Sequence, residues 1–136
     1  MKTIIILLTI VTLQSCLYEQ YSKAIITNKT NEIITLTFHI DTTELDRRWH
    51  NRHPKDAFKN IPNEILTLDS TDNLIGKVKI NPNQTLELDQ SMTYQPMYWF
   101  DKISFTHSGK HIVIDNKTDI EKAFVKNDFT YEMKIQ

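Results

Sequence analysis

Glycine is almost missing from this chain of 136 residues: only Gly76 and Gly109 occur, in unrelated contexts. Phosphate-cradling loops are thereby excluded, because GxGxxG and GxxxxGK both need several glycines at close spacing. Cysteine is scarcer still. Cys16 is the one thiol, so no disulfide can form within the chain and stability has to come from a hydrophobic core. The sequence also has no GxSxG elbow, no SxxK and no HExxH, which leaves a catalytic site without a local signature. An excess of one charge is lacking too, with 16 Lys+Arg against 17 Asp+Glu. Nucleic acid is not an expected partner, because proteins that bind it carry a cationic surplus that neutralises phosphates. No internal repeat or low-complexity tract is present.

Long hydrophobic runs are absent with one exception. Ile4 to Leu13 is a mostly apolar stretch of roughly ten residues, about half of what a membrane-spanning helix requires. Lys2 precedes it, and Ser15 places a small residue before Cys16. A positive start, a short apolar segment and a small residue at the cut are the physical requirements of a secretory signal. The alternatives are an ordinary cleaved signal with an unrelated cysteine, or an apolar N-terminal strand.

Leu13-Gln14-Ser15-Cys16 resembles the lipobox of bacterial lipoprotein precursors. The resemblance covers the first sixteen residues. It implies that residues 1–15 are removed and that Cys16 carries diacylglycerol and often a further acyl chain on its amine. Two or more acyl chains anchor stably, at about 0.8 kcal/mol per buried CH₂. The thiol is then unavailable as a nucleophile or metal ligand. Leu17 rather than Asp follows, which by resemblance to lipoprotein sorting signals implies the outer membrane, facing the periplasm. Loss of Lys2 would leave 15 basic against 17 acidic residues, a formal charge of −2. Residues 16–22 read as the lipidated cysteine and a tether reaching about 20 Å fully extended. Residues 23–136 then form one domain, which at this size buries roughly two-thirds of its unfolded surface.

Period-2 patterning dominates that domain. In Glu32 to Ile40, Ile34, Leu36, Phe38 and Ile40 face one way and Thr35, Thr37 and His39 the other, as in a half-buried strand. Lys23 to Asn28 precedes it, and the polar residues Lys29 to Asn31 suggest a hairpin between the two. Lys77 to Ile80 and Thr85 to Leu88 flank Asn81-Pro82-Asn83-Gln84, a turn signal across which pairing is expected. Trp99 to Thr106 and Lys110 to Ile114 flank Ser108-Gly109, a hairpin signal. Ile65 to Leu68 and Asp128 to Gln136 add two more, the last with Phe129, Tyr131, Met133 and Ile135 inward.

Two segments predict helices. The first is capped by Thr42 or Thr43, carries Leu45 and Trp49 on one face, and stops before Pro54. The second spans Thr118 to Lys126, with Thr118 as cap, Glu121 at the capping-box position, and Ile120, Phe124 and Val125 as its apolar stripe. About seven strands with regular turn signals predict a mainly β fold, an antiparallel β-sandwich with one or two short helical insertions.

Chemistry-bearing residues gather in three places. His50 with His53, and His107 with His111, are pairs that a metal could use, although Arg47, Arg48, Arg52 and Lys55 oppose a cation at the first pair and no cofactor is expected. Those same cations form a basic surface suited to anionic headgroups or an acidic partner. Tyr94, Tyr98, Trp99 and Phe100 are the densest aromatic patch. Alternation sends Tyr98 and Phe100 to the face opposite Trp99, so either both faces are covered or a binding patch is exposed.

Phe100-Asp101-Lys102-Ile103 with Gly109-Lys110 is similar to a strand and turn of small β-rich lipoproteins of the Bacteroidetes type. The function expected is therefore a non-enzymatic binding or scaffolding module of the cell envelope, with a protein or glycan partner and the aromatic patch as its contact. An envelope hydrolase whose site only the fold assembles, and an inhibitor or immunity lipoprotein, are the alternatives.

Overall fold

The computed structural model describes residues 21–49, 53–91, 96 and 98–136. The lipobox and Cys16, with His50, Arg52 and Tyr94, lie outside these residues, as do the side chains of Arg48 and Trp49. The chain is mainly β: nine strands and two short helices among the described residues, arranged as a sandwich. The strands are β1 (Ser22–Asn28), β2 (Ile34–Ile40), β3 (Leu66–Leu68), β4 (Ile75–Ile80), β5 (Thr85–Ser91), β6 (Phe100–His107), β7 (Lys110–Ile114), β8 (Val125–Asn127) and β9 (Thr130–Ile135). The helices are α1 (Thr42–Trp49) and α2 (Lys117–Ala123), with a 3₁₀ turn at Pro54–Phe58.

One sheet has the order β5-β1-β9-β8 and the other β3-β4-β2-β6-β7. All pairs are antiparallel except β1 with β9, which run parallel. The facing sides supply the core. Ala24, Ile26, Leu86, Leu88, Met133 and Ile135 come from the first sheet, and Ile34, Leu36, Phe38, Ile40, Val78, Ile80, Ile103 and Phe105 from the second. Alternation along β2 is as the period-2 pattern predicts, and the Ser108-Gly109 hairpin joins β6 to β7. Ser108 and Gly109 have φ of 50 and 72°, the left-handed pair that a two-residue hairpin requires.

Neither of the other two expected hairpins forms. β1 pairs with β5 and β9, whereas β2 pairs with β4 and β6, so the turn at residues 29–33 crosses between sheets. The turn at residues 81–84 crosses back, taking the chain from β4 to β5. The reason is burial: β1, β2, β4 and β5 each carry an apolar face, and stacking those faces removes more area from water than edge pairing would. Both crossings are tied by Asn28, which is fully buried. Its Nδ2 donates to the carbonyls of Glu32 and Ile80 at 2.8 and 3.0 Å. Its Oδ1 accepts from the Thr30 N–H and hydroxyl at 3.0 and 2.7 Å. Its backbone exchanges bonds with Gln84 and Asn83.

The opposite end is closed by aromatic packing. Trp99 lies 4.8 Å from the Phe58 ring, 5.5 Å from Phe38 and 5.2 Å from Phe100, centroid to centroid. Its indole N–H donates across the sandwich to the Leu88 carbonyl at 3.4 Å. Phe58 arrives on the 3₁₀ turn and packs on Gly76, where a Cβ would fall on the ring.

The second helix is shorter than its pattern predicts. Asn116, not Thr118, is its N-cap, accepting from the Asp119 N–H at 2.9 Å. The chain leaves helical geometry at Phe124, and Val125 opens β8 with 68% of its surface exposed. Phe129 likewise points outward, in the β8–β9 turn. Asp41 caps α1 by accepting from the Thr43 and Glu44 N–H groups, in place of Thr42 or Thr43.

Gly76→Ala tests the aromatic closure. A Cβ at residue 76 would force the Phe58 ring to shift against Trp99 and Phe38, whose centroids lie 4.8 and 6.5 Å away, so urea unfolding should show a loss of about 2–3 kcal/mol. A change under about 0.5 kcal/mol would mean that the ring moves freely.

Candidate functional site

Phe100 turns inward because of a β-bulge. Ile40 pairs with Phe100 and His39 with Lys102, leaving Asp101 unpaired. The extra residue shifts the alternation by one, so Phe100 faces the core along with Ile103 and Phe105. Trp99 and Phe100 are buried, at 2 and 3% exposure. They are therefore core residues and not an exposed contact patch. Tyr98 is half-buried, its ring 4.8 Å from Phe124 and 5.8 Å from Phe100. Burial raises the pKa of its phenol well above the ordinary value, with Tyr131, Glu121 and Asp89 adding to the effect. The phenol stays neutral beside a small notch of about 150 Å³ lined by Pro96, Tyr98, Glu121 and Tyr131.

The basic surface is partly offset by carboxylates. Glu44 accepts from Arg47 at 2.6 Å and from Lys117 at 2.7 Å, linking α1 to α2. Burial alone would raise the Glu44 pKa, but the two cations together lower it. Lys55 is exposed on the 3₁₀ turn. His53 serves as the N-cap of that turn: its ring accepts from the Lys55 N–H while its own N–H donates to Asp56. His107 and His111 also go to separate partners, Glu32 and Thr106. Among the described residues, no three His, Cys, Asp or Glu side chains gather as a metal site would need.

Two features escape a reading of the sequence. The first is a relay in the hairpin turn. The Nδ1 of His107 bonds to the Glu32 carboxylate, and its Nε2 lies 3.2 Å from the Ser108 hydroxyl. The Ser108 N–H also donates to Glu32 at 3.2 Å. This Ser–His–Glu order matches that of a hydrolytic triad. Its surroundings do not, because Ser108 and Glu32 are exposed, His107 is only half-buried, and a Cβ on neighbouring Gly109 would meet nothing within 4 Å. A triad depends on preorganised donors in a water-excluded site. As built, the contacts clamp the β6–β7 turn to the loop that crosses between sheets.

The second feature is a shallow groove of about 470 Å³ on the outer face of the five-stranded sheet. Ile33, Thr35, Thr37, Lys77, Ser104, Phe105, Thr106 and His111 line it. The ladder sets the spacing: Thr37 pairs with both Lys77 and Ser104, and Thr106 with His111. Ile33 is 61% exposed at the rim. Three threonine hydroxyls, an ammonium and an imidazole thus lie on one surface, with Ser104 largely buried between its neighbours at 9% exposure. Alternating Thr and Ser on β2 and β6 was the available signal, but only strand order brings those strands together.

The carboxylates set the acid behaviour. Glu32 is held below its ordinary value of 4.5 by the Ser108 N–H and then by His107. Asp69, Asp119 and Glu132 are lowered by bonds from Thr71, Asn116 and Thr27, respectively. Each group holds a proton less tightly folded than unfolded, so its contribution is complete above the ordinary carboxylate range and is lost as pH falls through the lowered value. Melting temperature should stay level from about pH 7 to about pH 5 and drop below about pH 4. A melting temperature that rises on acidification contradicts these assignments.

No family model, curated protein or solved structure matches the chain.

Proposed function

We propose that this protein is a lipid-anchored component of the bacterial envelope, held at the outer membrane on its periplasmic side, and that it acts as a non-enzymatic binding or scaffolding module. The groove on the five-stranded sheet carries the binding role. Its hydroxyls, with Lys77 and His111, offer both donors and acceptors to a polyhydroxylated ligand, which favours an envelope glycan, and a protein partner would meet the same polar face. The aromatic segment supports the domain from within instead of contacting the partner.

The anchor is supported by Leu13-Gln14-Ser15-Cys16, by the apolar stretch before it, and by Cys16 being the one cysteine. β1 begins at Ser22, so a cut before Cys16 removes no described strand. Among the described residues, no helix is long and apolar enough to cross a membrane. The Ser108–His107–Glu32 relay favours a second reading as an envelope hydrolase. Covalent labelling of Ser108 by a fluorophosphonate would support it over the binding role.

Two measurements test the proposal together. Mass spectrometry of the N-terminal peptide should find diacylglycerol on Cys16, and Cys16→Ala should release the protein from membranes. Titration with envelope glycan fragments should move the amide signals of Thr35, Thr37, Ser104 and Thr106. Thr37→Val with Ser104→Ala should then weaken binding by about tenfold, as expected for two lost hydrogen bonds of about 1 kcal/mol or less each. An unmodified Cys16 contradicts the anchor, and unmoved groove signals contradict the binding surface.

A further inference from the structure

We infer that the end of the sandwich where β1 begins docks on the lipid bilayer, with Phe129 dipping into the interface and Tyr21 beside it. The inference rests on the anchor proposed above. Only residues 17–21 separate Cys16 from β1. Five residues reach about 18 Å when fully extended, so this end of the domain cannot stand far from the membrane that holds Cys16.

The register determines what lies there. The Lys23 N–H donates to the Phe129 carbonyl at 2.9 Å, and Lys23 pairs with Thr130 in the parallel ladder. The β8–β9 turn therefore stands beside the root of the tether. Asp128 takes a left-handed φ of 52° in that turn, and Phe129 is left 40% exposed. Tyr21, two residues before Lys23 in the chain, is 38% exposed. In water a partly exposed ring beside the root of the tether is a cost, whereas at a membrane interface a rigid ring buries its apolar face among acyl chains.

Charge plays a smaller part. Lys23, exposed on β1, and Lys126, whose ammonium lies 5.7 Å from the Tyr131 ring centroid on the neighbouring strand, add attraction to anionic headgroups, but Asp128 in the turn offsets it. The docking is therefore carried by the rings and depends only weakly on salt. The Ser108-Gly109 turn and the 29–33 loop lie at the opposite ends of their strands, about 20 Å away along the seven residues of β1. Docked this way, the sheet groove stands to the side of the bilayer and open to the periplasm.

The single cysteine allows a direct test. The full chain is coupled through Cys16 to a maleimide phospholipid in vesicles of phosphatidylethanolamine and phosphatidylglycerol, and its hydrogen exchange is compared with that of thiol-blocked chain in solution. Chemical coupling supplies the anchor whether or not cells lipidate Cys16, so failure of docking is separable from failure of the anchor. Amides at 21–24 and 127–131 should slow by about tenfold, the scale that burial of one ring supports. Those at 29–33 and 107–110 should be unchanged. Phe129→Ser should abolish the slowing at an unchanged melting temperature, and Phe129→Trp should retain it. Equal exchange at both ends, or slowing at 107–110 instead, overturns the inference.

Discussion

The sandwich depends on one buried amide. Every hydrogen-bonding position of the Asn28 side chain is used: two N–H groups on the carbonyls of Glu32 and Ile80, and one oxygen on Thr30 twice. Those partners belong to two of the four places where the chain changes sheet, β1 to β2 and β4 to β5. A buried amide with all its bonds made is inexpensive, whereas the carbonyls it serves would each be costly if left bare. Asn28 thus fixes where β1 stops, where β2 starts and how β4 hands over to β5. With those set, the apolar faces of the two sheets meet in one register.

The two ends of the molecule are closed by different physics. At the Asn28 end, polar bonds hold short loops, and the Glu32 contacts extend the same network to the β6–β7 turn. At the other end, rings from Tyr98, Trp99, Phe100, Phe58 and Phe124 fill the space that helices and longer crossings leave open. Closure by rings needs no disulfide, which suits a chain whose one cysteine is proposed to carry lipid. It also leaves the outer sheet face free, and that face holds the groove. The proposed anchor and the proposed ligand surface therefore sit on different sides of the domain and do not compete.

Much of the fold was legible in the chain, and the failures share a cause. Period-2 alternation marked β2 correctly because its inward side is buried throughout, and Ser108-Gly109 marked a real hairpin because both residues accept positive φ. What alternation cannot state is the partner of a strand. The turns at 29–31 and 81–84 look like hairpin turns locally, yet each one crosses the sandwich, because the choice between pairing and stacking is made by distant faces. A single unpaired residue, Asp101, inverted the phase before it and hid the burial of Phe100. Segment 118–126 read as one helix because Val125 has the spacing of a helical stripe, but pairing with Glu132 in β9 overrode it. The contact between Glu32 and His107, 75 residues apart, follows from strand order alone.

If Asn28 holds both crossings, its loss must be felt by the whole domain. The most direct measurement is urea unfolding of Asn28→Ala beside the exposed control Asn31→Ala. A loss of about 2–4 kcal/mol in a single transition for Asn28→Ala, with Asn31→Ala within about 0.5 kcal/mol of the parent, is the predicted result. Equal, small effects from both substitutions would contradict it and would place the determinant of the sandwich in its apolar faces alone.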